Sequence, residues 1–475
     1  MQAYITSSIP YVNAPPHIGH ALELVQADAI ARYQRLAGNA TILQTGTDEN
    51  AFKNVLAARA QGVSVQALVD RNSQRFHELT QALAIAADTF IRTTESRHRH
   101  GVAAFWRRLR SEDIFKQQYT GLYCTGCEDF LLERDLVQGT CPEHLAEPET
   151  VAEENYFFRL SSYQAVLEEA IRGGRIKIVP ETRKNEVLSF IRSGLQDISV
   201  SRDTSRMAGW GIPVPGDSSQ TIYVWIDALI NYITGQGFGS GEAWRRVWNT
   251  ETKKIHVIGK NVWKFHAVYW PALLLSAGLP LPDEIVVHGF LTVEGAKISK
   301  SLANVIDPFA CIEPFGAEAV RYSLLTLSPF ADGDYSQRYL RQRYQADLAN
   351  GIGNLATRLT ALCQKARLNG LQPAAAPEPP LDFARHMGGH RFDRALRAFW
   401  TPATAVNQGI ERERPWEQIQ SAQTAQSLRE WVHSLWVIAY WMQPFMPTTG
   451  AKILHGLHQP HITRLPPLFP RLETG

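Results

Sequence analysis

The sequence has few cysteines: five in 475 residues, with Cys124, Cys127 and Cys141 clustered and Cys311 and Cys363 standing alone. That distribution excludes a disulfide framework and points to one metal site plus two buried thiols. No apolar run approaches the length of a membrane span, so no membrane association is expected. The opening MQAYITSSIPYV has no basic segment followed by an apolar block, so no secretory leader is read and a cytoplasmic address is expected. Charge of one sign is not in excess: a net charge of +2 excludes a globally basic nucleic-acid coat while leaving room for a local basic face. Internal repeats are also missing. What remains is ordinary for a globular chain, 44% hydrophobic and 20% charged, and its length calls for two to four domains.

The order of segments is informative. Residues 1–114 alternate strand-like and helix-like stretches: AYITSSI, then an apolar period of three or four from Leu22 to Leu36 that stops at Gly38-Asn39, then TILQTG, then a helix from Phe52. Residues 115–220 are short, polar and turn-rich around the cysteines. Alternation resumes over 221–335, where IYVWIDAL, KIHVIG and EIVVHGF read as apolar strands crossing the middle of a parallel sheet. Residues 336–475 are helical: SQRYLRQRYQADLANGIGNLATRLTALCQKA predicts one long helix, LQPAAAPEPPLD a loop, and Phe392–Arg412 and Ser427–Met446 further helices. The expected fold is an α/β parallel-sheet domain, interrupted by an inserted module and followed by a helical bundle.

Three stretches carry chemistry. In PYVNAPPHIGHALELVQAD, His17 and His20 flank Gly19 on the first turn of a helix. Unpaired N–H groups and the positive dipole end suit an anion there, and the turn has neither G-x-G-x-x-G nor a Walker pattern. In HGFLTVEGAKISKSLAN, Lys297 and Lys300 sit with Ser299 on a Gly- and Ser-rich loop, two cations suited to a leaving pyrophosphate. Cys124-x2-Cys127-x13-Cys141-x2-His144 spaces three thiolates and an imidazole for a closed tetrahedral Zn²⁺ site, with buried free thiols as the alternative.

H-I-G-H and K-I-S-K-S, in this order and separation, resemble the two signatures of class I aminoacyl-tRNA synthetases. The resemblance is closest to the methionyl-tRNA synthetase family and covers nearly the whole chain: PYVNAPPHIGH, TGTDE, EENYFFRLS, GLQDISVSR, YVWIDALINYIT, HGFLTVEGAKISKS, NLATR and LFPRLE all look like that family. The stretch 115–220 is too short for the large editing insertion of the isoleucine, valine and leucine enzymes. The resemblance implies a Rossmann-like catalytic domain in two halves (1–114 and 221–335), a connective module with a zinc knuckle (115–220) and a helical anticodon-binding domain (336–475).

It also implies roles. His17, Gly19, His20, Lys297, Ser299 and Lys300 would handle ATP, with His17, His20, Lys297 and Lys300 catalytic. Ile9, Tyr11, Asp48, Trp225, Ala228, Leu229, Tyr232, Val262 and His266 would bind methionine, Asp48 pairing the ammonium and the aromatics walling the polarizable thioether. Cys124, Cys127, Cys141 and His144 would hold structural Zn²⁺, and Mg²⁺ would accompany ATP. Asn354, Arg358 and Trp416 would read the CAU anticodon of tRNA(Met). Arg338, Arg341 and Arg343 read better as a solvated face than as phosphate contacts. The end at Gly475 without an appended module leads to the expectation of a monomer.

The chain departs from the family where Asn50-Ala51 replace His-Gly after T-D-E, where Asn261 replaces Asp after Gly259-Lys260, and where KISKS replaces the commoner KMSKS. These changes keep two alternatives open: a diverged paralogue that adenylates an amino acid without charging tRNA, and a non-catalytic tRNA-binding protein.

Overall fold

The computed structural model describes residues 1–131, 133, 136–142, 145–298, 304–372, 375–380 and 382–472. The chain forms two compact units. One is Met1–Pro16, Ala40–Thr80 and Ala87–Val287; the other is His17–Asn39, Gln81–Ala86 and His288–Gly475.

The first unit is built on a six-stranded sheet in the order Thr89–Arg92, Ala40–Thr47, Gln2–Ser7, Thr252–Gly259, Glu284–His288, Lys177–Val179. Gln2–Ser7 pairs in parallel with both neighbours, so Ile5 lies between Leu43 and Ile255, all three fully buried. Strands buried on both faces explain why these segments read as continuous apolar runs. The strand order reverses between Gln2–Ser7 and Thr252–Gly259, the switch point beyond whose strand ends open α/β sheets generally bind ligands. Ile9 and Tyr11 follow one of these strands, Val262 and His266 the other, and Asp48 follows Ala40–Thr47. The Rossmann-like parallel core expected from the sequence is present.

One expectation is corrected. IYVWIDAL does not cross the sheet: a strand ends at Ile222, and Val224–Thr234 is a helix. Every residue of that helix except Trp225 is buried, so its sequence is apolar all round and shows no helical period. Between Thr89–Arg92 and Thr252–Gly259 the chain also builds an antiparallel sheet ordered Asp129–Leu131, Ile114–Cys124, Glu149–Phe158, Ile198–Ser199.

The second unit is helical. After residue 336 its described helices are Gln337–Arg343, Asn354–Lys365, Phe383–Gly388, Phe392–Glu413, Ala422–Trp441 and Pro447–Leu457. The single long helix predicted from Ser336 is broken: Tyr344–Gly353 winds as a π-helix with Gly351 at φ −89°, ψ −107°. The N-G-I-G run permits the break, and a side chain at Gly351 would meet Trp400 at 3.1 Å. Buried Arg321 fastens this unit. Its guanidinium meets Asp28 at 2.6 Å and donates to the carbonyls of Leu83, Pro444 and Phe445. Removing one partner of such a buried pair typically costs about 3–5 kcal/mol.

Candidate active site

Helix Ile18–Leu36 opens on His17 as an extended N-cap. The Gly19 N–H donates to His17 Nδ1 and the His17 N–H donates to His20 Nδ1, each at 3.1 Å. This is a reciprocal capping box in which two imidazoles replace the usual hydroxyl and carboxylate. A ring nitrogen that accepts carries no proton, so both protons are assigned to Nε2. The rings stack at 3.8 Å, and burial, with His17 adjacent, pushes the His20 pKa well below its ordinary value. A neutral His20 N–H donor follows at neutral pH. Glycine is required between them, because a Cβ on residue 19 would stand 2.9 Å from His17 Cε1. No acidic residue occupies the first turn to compete with an anion. In the same unit, Lys297 pairs through its backbone with Thr292; its side chain, Ser299 and Lys300 lie outside the described residues.

The first unit brings the expected amino-acid residues together. Trp225, Ala228, Leu229 and Tyr232 share one face of helix Val224–Thr234 by their spacing. Tyr11 meets Trp225 edge-on at 5.7 Å and bridges Asp48 through its backbone. The His266 Nδ1–H donates to the Val262 carbonyl at 2.9 Å, leaving Nε2 to accept the Tyr232 hydroxyl at 2.7 Å. Phe265 went unread in the sequence. It stacks on Trp225 at 3.8 Å, and an aromatic beside His266 was the available signal.

Asp48 is 1% exposed, and burial followed by the nearby Asp227 and Glu128 carboxylates pushes its pKa well above the usual carboxylate range. A buried carboxyl in this state gains most from a cation placed beside it.

Cys124 and Cys141 are buried and Cys127 is half-buried, with the three sulfurs within 4.8 Å of one another. A tetrahedral ion with Zn–S bonds of about 2.3 Å separates its sulfurs by roughly 3.8 Å, so this cluster fits a metal. Burial and the crowding of Cys141 and Cys124 raise the Cys127 thiol pKa. His144 lies outside the described residues. The knuckle is bonded to segments that carry the amino-acid residues: the Trp225 indole donates to the Cys127 carbonyl at 3.2 Å, Glu128 accepts the Lys53 N–H at 2.6 Å, and Lys264 meets Asp129 at 2.7 Å.

In the helical unit Asn354 is exposed and Arg358 follows one turn later. The Arg358 guanidinium lies 5.7 Å over the Trp416 ring and pairs with Glu411 at 2.7 Å. Trp416 is 42% exposed, which excludes a plain core role. Arg341 lies over Phe315, and Arg343 pairs with Asp347 in a partly buried contact.

A family model described as tRNA synthetases class I (M) matches residues 3–149 and 144–360. The methionine–tRNA ligase of Rhizobium meliloti is 40% identical over 474 residues, covering 95% of this chain and 90% of its own length. That of Mycobacterium tuberculosis (strain CDC 1551 / Oshkosh) is 40% identical over 483 residues, covering 96% and 92%. The solved M. tuberculosis methionyl-tRNA synthetase in complex with methionyl-adenylate superposes with a TM-score of 0.90 at 37% identity, covering 99% of this chain and all of that one.

The chain belongs to the methionyl-tRNA synthetase family.

Membership carries a reaction class: ATP-dependent ligation of methionine to tRNA. It also puts the family departures in context. Asn50, where the family usually has His, is buried and donates to Asp227 at 2.6 Å and to the Thr93 carbonyl at 3.1 Å. Asn261 is exposed. Among the described residues no helix is long and apolar enough to cross a membrane.

Proposed function

We propose that this chain activates L-methionine with ATP and transfers the methionyl group to the 3′ end of tRNA(Met). The methionine carboxylate attacks the ATP α-phosphate in line, forming methionyl-adenylate and releasing pyrophosphate. The ribose hydroxyl of the terminal tRNA adenosine, at the 2′ position by family resemblance, then displaces AMP. No protein nucleophile is needed, so catalysis rests on positioning and electrostatics. His17 and His20 donate Nε2–H groups to the phosphates from a helix N-terminus, and Lys297 and Lys300 stabilise the departing pyrophosphate. Mg²⁺, when bound with ATP, neutralises phosphate charge. Asp48 holds the ammonium; Tyr11, Trp225 and Tyr232 border the thioether with Ile9, Ala228, Leu229, Val262 and His266.

Zn²⁺ would be held by Cys124, Cys127, Cys141 and His144, where it supplies a fixed structural anchor. Asn354, Arg358 and Trp416 read the anticodon, with the segment 336–475 as the anticodon-binding domain. A cytoplasmic monomer completes the proposal.

The observation that carries this reading is Asp48, a buried carboxylate bridged to Tyr11 and disfavoured in its ionised form by burial and by the Asp227 and Glu128 carboxylates, in a chain of this family. The test is charging of tRNA(Met) transcript by the purified chain with ATP, Mg²⁺ and labelled methionine. Methionyl-tRNA formation supports the proposal. Pyrophosphate exchange without charging would assign the chain to the adenylating alternative, and neither activity would assign it to the non-catalytic one.

A further inference from the structure

Five buried residues from three segments, His98, Thr234, Asp227, Asn50 and Asp48, form one hydrogen-bonded series. His98, on helix Ser96–Arg108, bonds Thr234 Oγ1 through Nδ1 at 2.7 Å and meets Asp227 Oδ1 through Nε2 at 2.5 Å. The other Asp227 oxygen accepts the Asn50 amide at 2.6 Å. That same amide nitrogen donates to the Thr93 carbonyl at 3.1 Å, so two acceptors fix its orientation; turning it over would set Oδ1 against a carboxylate. The Asn50 backbone N–H reaches Asp48 Oδ1 at 3.3 Å. His98 and Asp227 have no solvent exposure, and Asn50 and Asp48 have 2% and 1%. Asn50 Oδ1 is left without a partner, but the remaining bonds hold the members in one geometry, and losing one donor leaves a buried carboxylate less compensated.

We infer that His98 is a positioning residue for the amino-acid substrate: through Asp227 and Asn50 it holds Asp48 in the orientation that receives the substrate ammonium. Nothing requires His98 to touch substrate. Its bond to Asp227 partly offsets a second carboxylate whose charge disfavours ionised Asp48. Asn50, at the position where the chain departs from its family, is the coupling between the two acids. The inference rests on the proposed pairing of Asp48 with the ammonium.

The experiment is calorimetric binding of three probes to the full chain: methionine, methioninol, which keeps the ammonium but has no carboxylate, and 4-(methylthio)butanoate, which has no ammonium. His98→Ala is expected to weaken methionine and methioninol by about ten- to a hundredfold, the loss of a charged hydrogen bond, and 4-(methylthio)butanoate less than about twofold. His98→Gln, whose amide can return an N–H to Asp227, should recover most of the loss. Equal weakening of all three probes, or of none, would overturn the inference. If His98→Ala does not fold, Asn50→Ala is read by the same criteria. Asp48→Asn separates the two levels. If it fails to discriminate methioninol from 4-(methylthio)butanoate, the ammonium pairing itself is wrong and the inference falls with it. If it discriminates and His98→Ala does not, the positioning role alone is wrong.

Discussion

The residues proposed for methionine and those proposed for the anticodon solve opposite problems. Asp48, Ala228, Leu229, Tyr232, Val262 and His266 are buried, and Asp48, Tyr232, Val262 and His266 are bonded to protein partners. Asn354 and Arg358 lie on helix Asn354–Lys365 and Trp416 in the turn after Phe392–Glu413, with Arg358 partnered by Glu411 and by the Trp416 ring. Burial makes each polar group near the amino acid expensive to leave unpaired, which is how a small ligand is discriminated. Exposure leaves a stacking face open to an unpaired base, which is how RNA is read. The same difference predicts which reaction each substitution disturbs.

Lys300→Ala should be the most severe, because its charge acts mainly in the transition state of the first reaction. Both exchange and charging should fall by about 10²- to 10³-fold while methionine affinity stays near wild type. A loss confined to ground-state binding in pre-steady-state kinetics would remove that role. Asp48→Asn sharpens the contrast from the buried side: the KM for methionine should rise on the order of a hundredfold, with tRNA(Met) affinity unchanged in a filter-binding assay. Trp416→Ala should do the reverse. Charging should fall about ten- to a hundredfold with methionine-dependent exchange intact, by analogy with base–aromatic stacking. Equal losses in both reactions with a lowered melting temperature would falsify its anticodon role.

The cysteine cluster joins the buried side. Cys127→Ser should abolish a metal content of one per chain, measured by atomic emission, and lower the melting temperature by a few degrees. A metal-free wild-type chain, purified without chelators, would refute the metal site.

What was legible in the sequence was local. The histidine turn could be read because strand, turn, cap and helix follow one another within a single segment. The cysteine cluster could be read from its spacing, while the proposed fourth ligand, His144, lies outside the described residues. The helix Val224–Thr234 was misread as a strand because burial on all sides erased its period. Its Asp227 looked like part of an apolar core run, and its partner His98 sits in S-R-H-R-H-G, which reads as a solvated basic face. Only the fold brings those two, 129 residues apart, to 2.5 Å. Phe265 was missed for the same reason: its stacking on Trp225 depends on tertiary geometry. The break at Gly351 was hidden because the apolar period continues across it.

The claim that the buried cluster selects the amino acid is tested most directly by ATP–pyrophosphate exchange on the wild-type chain with each of the twenty amino acids in turn. Methionine should support exchange at a kcat/KM at least about a hundredfold above any other, since a well-packed apolar pocket rejects most side chains by that margin or more. Comparable exchange with a second amino acid, or none with methionine, would contradict it.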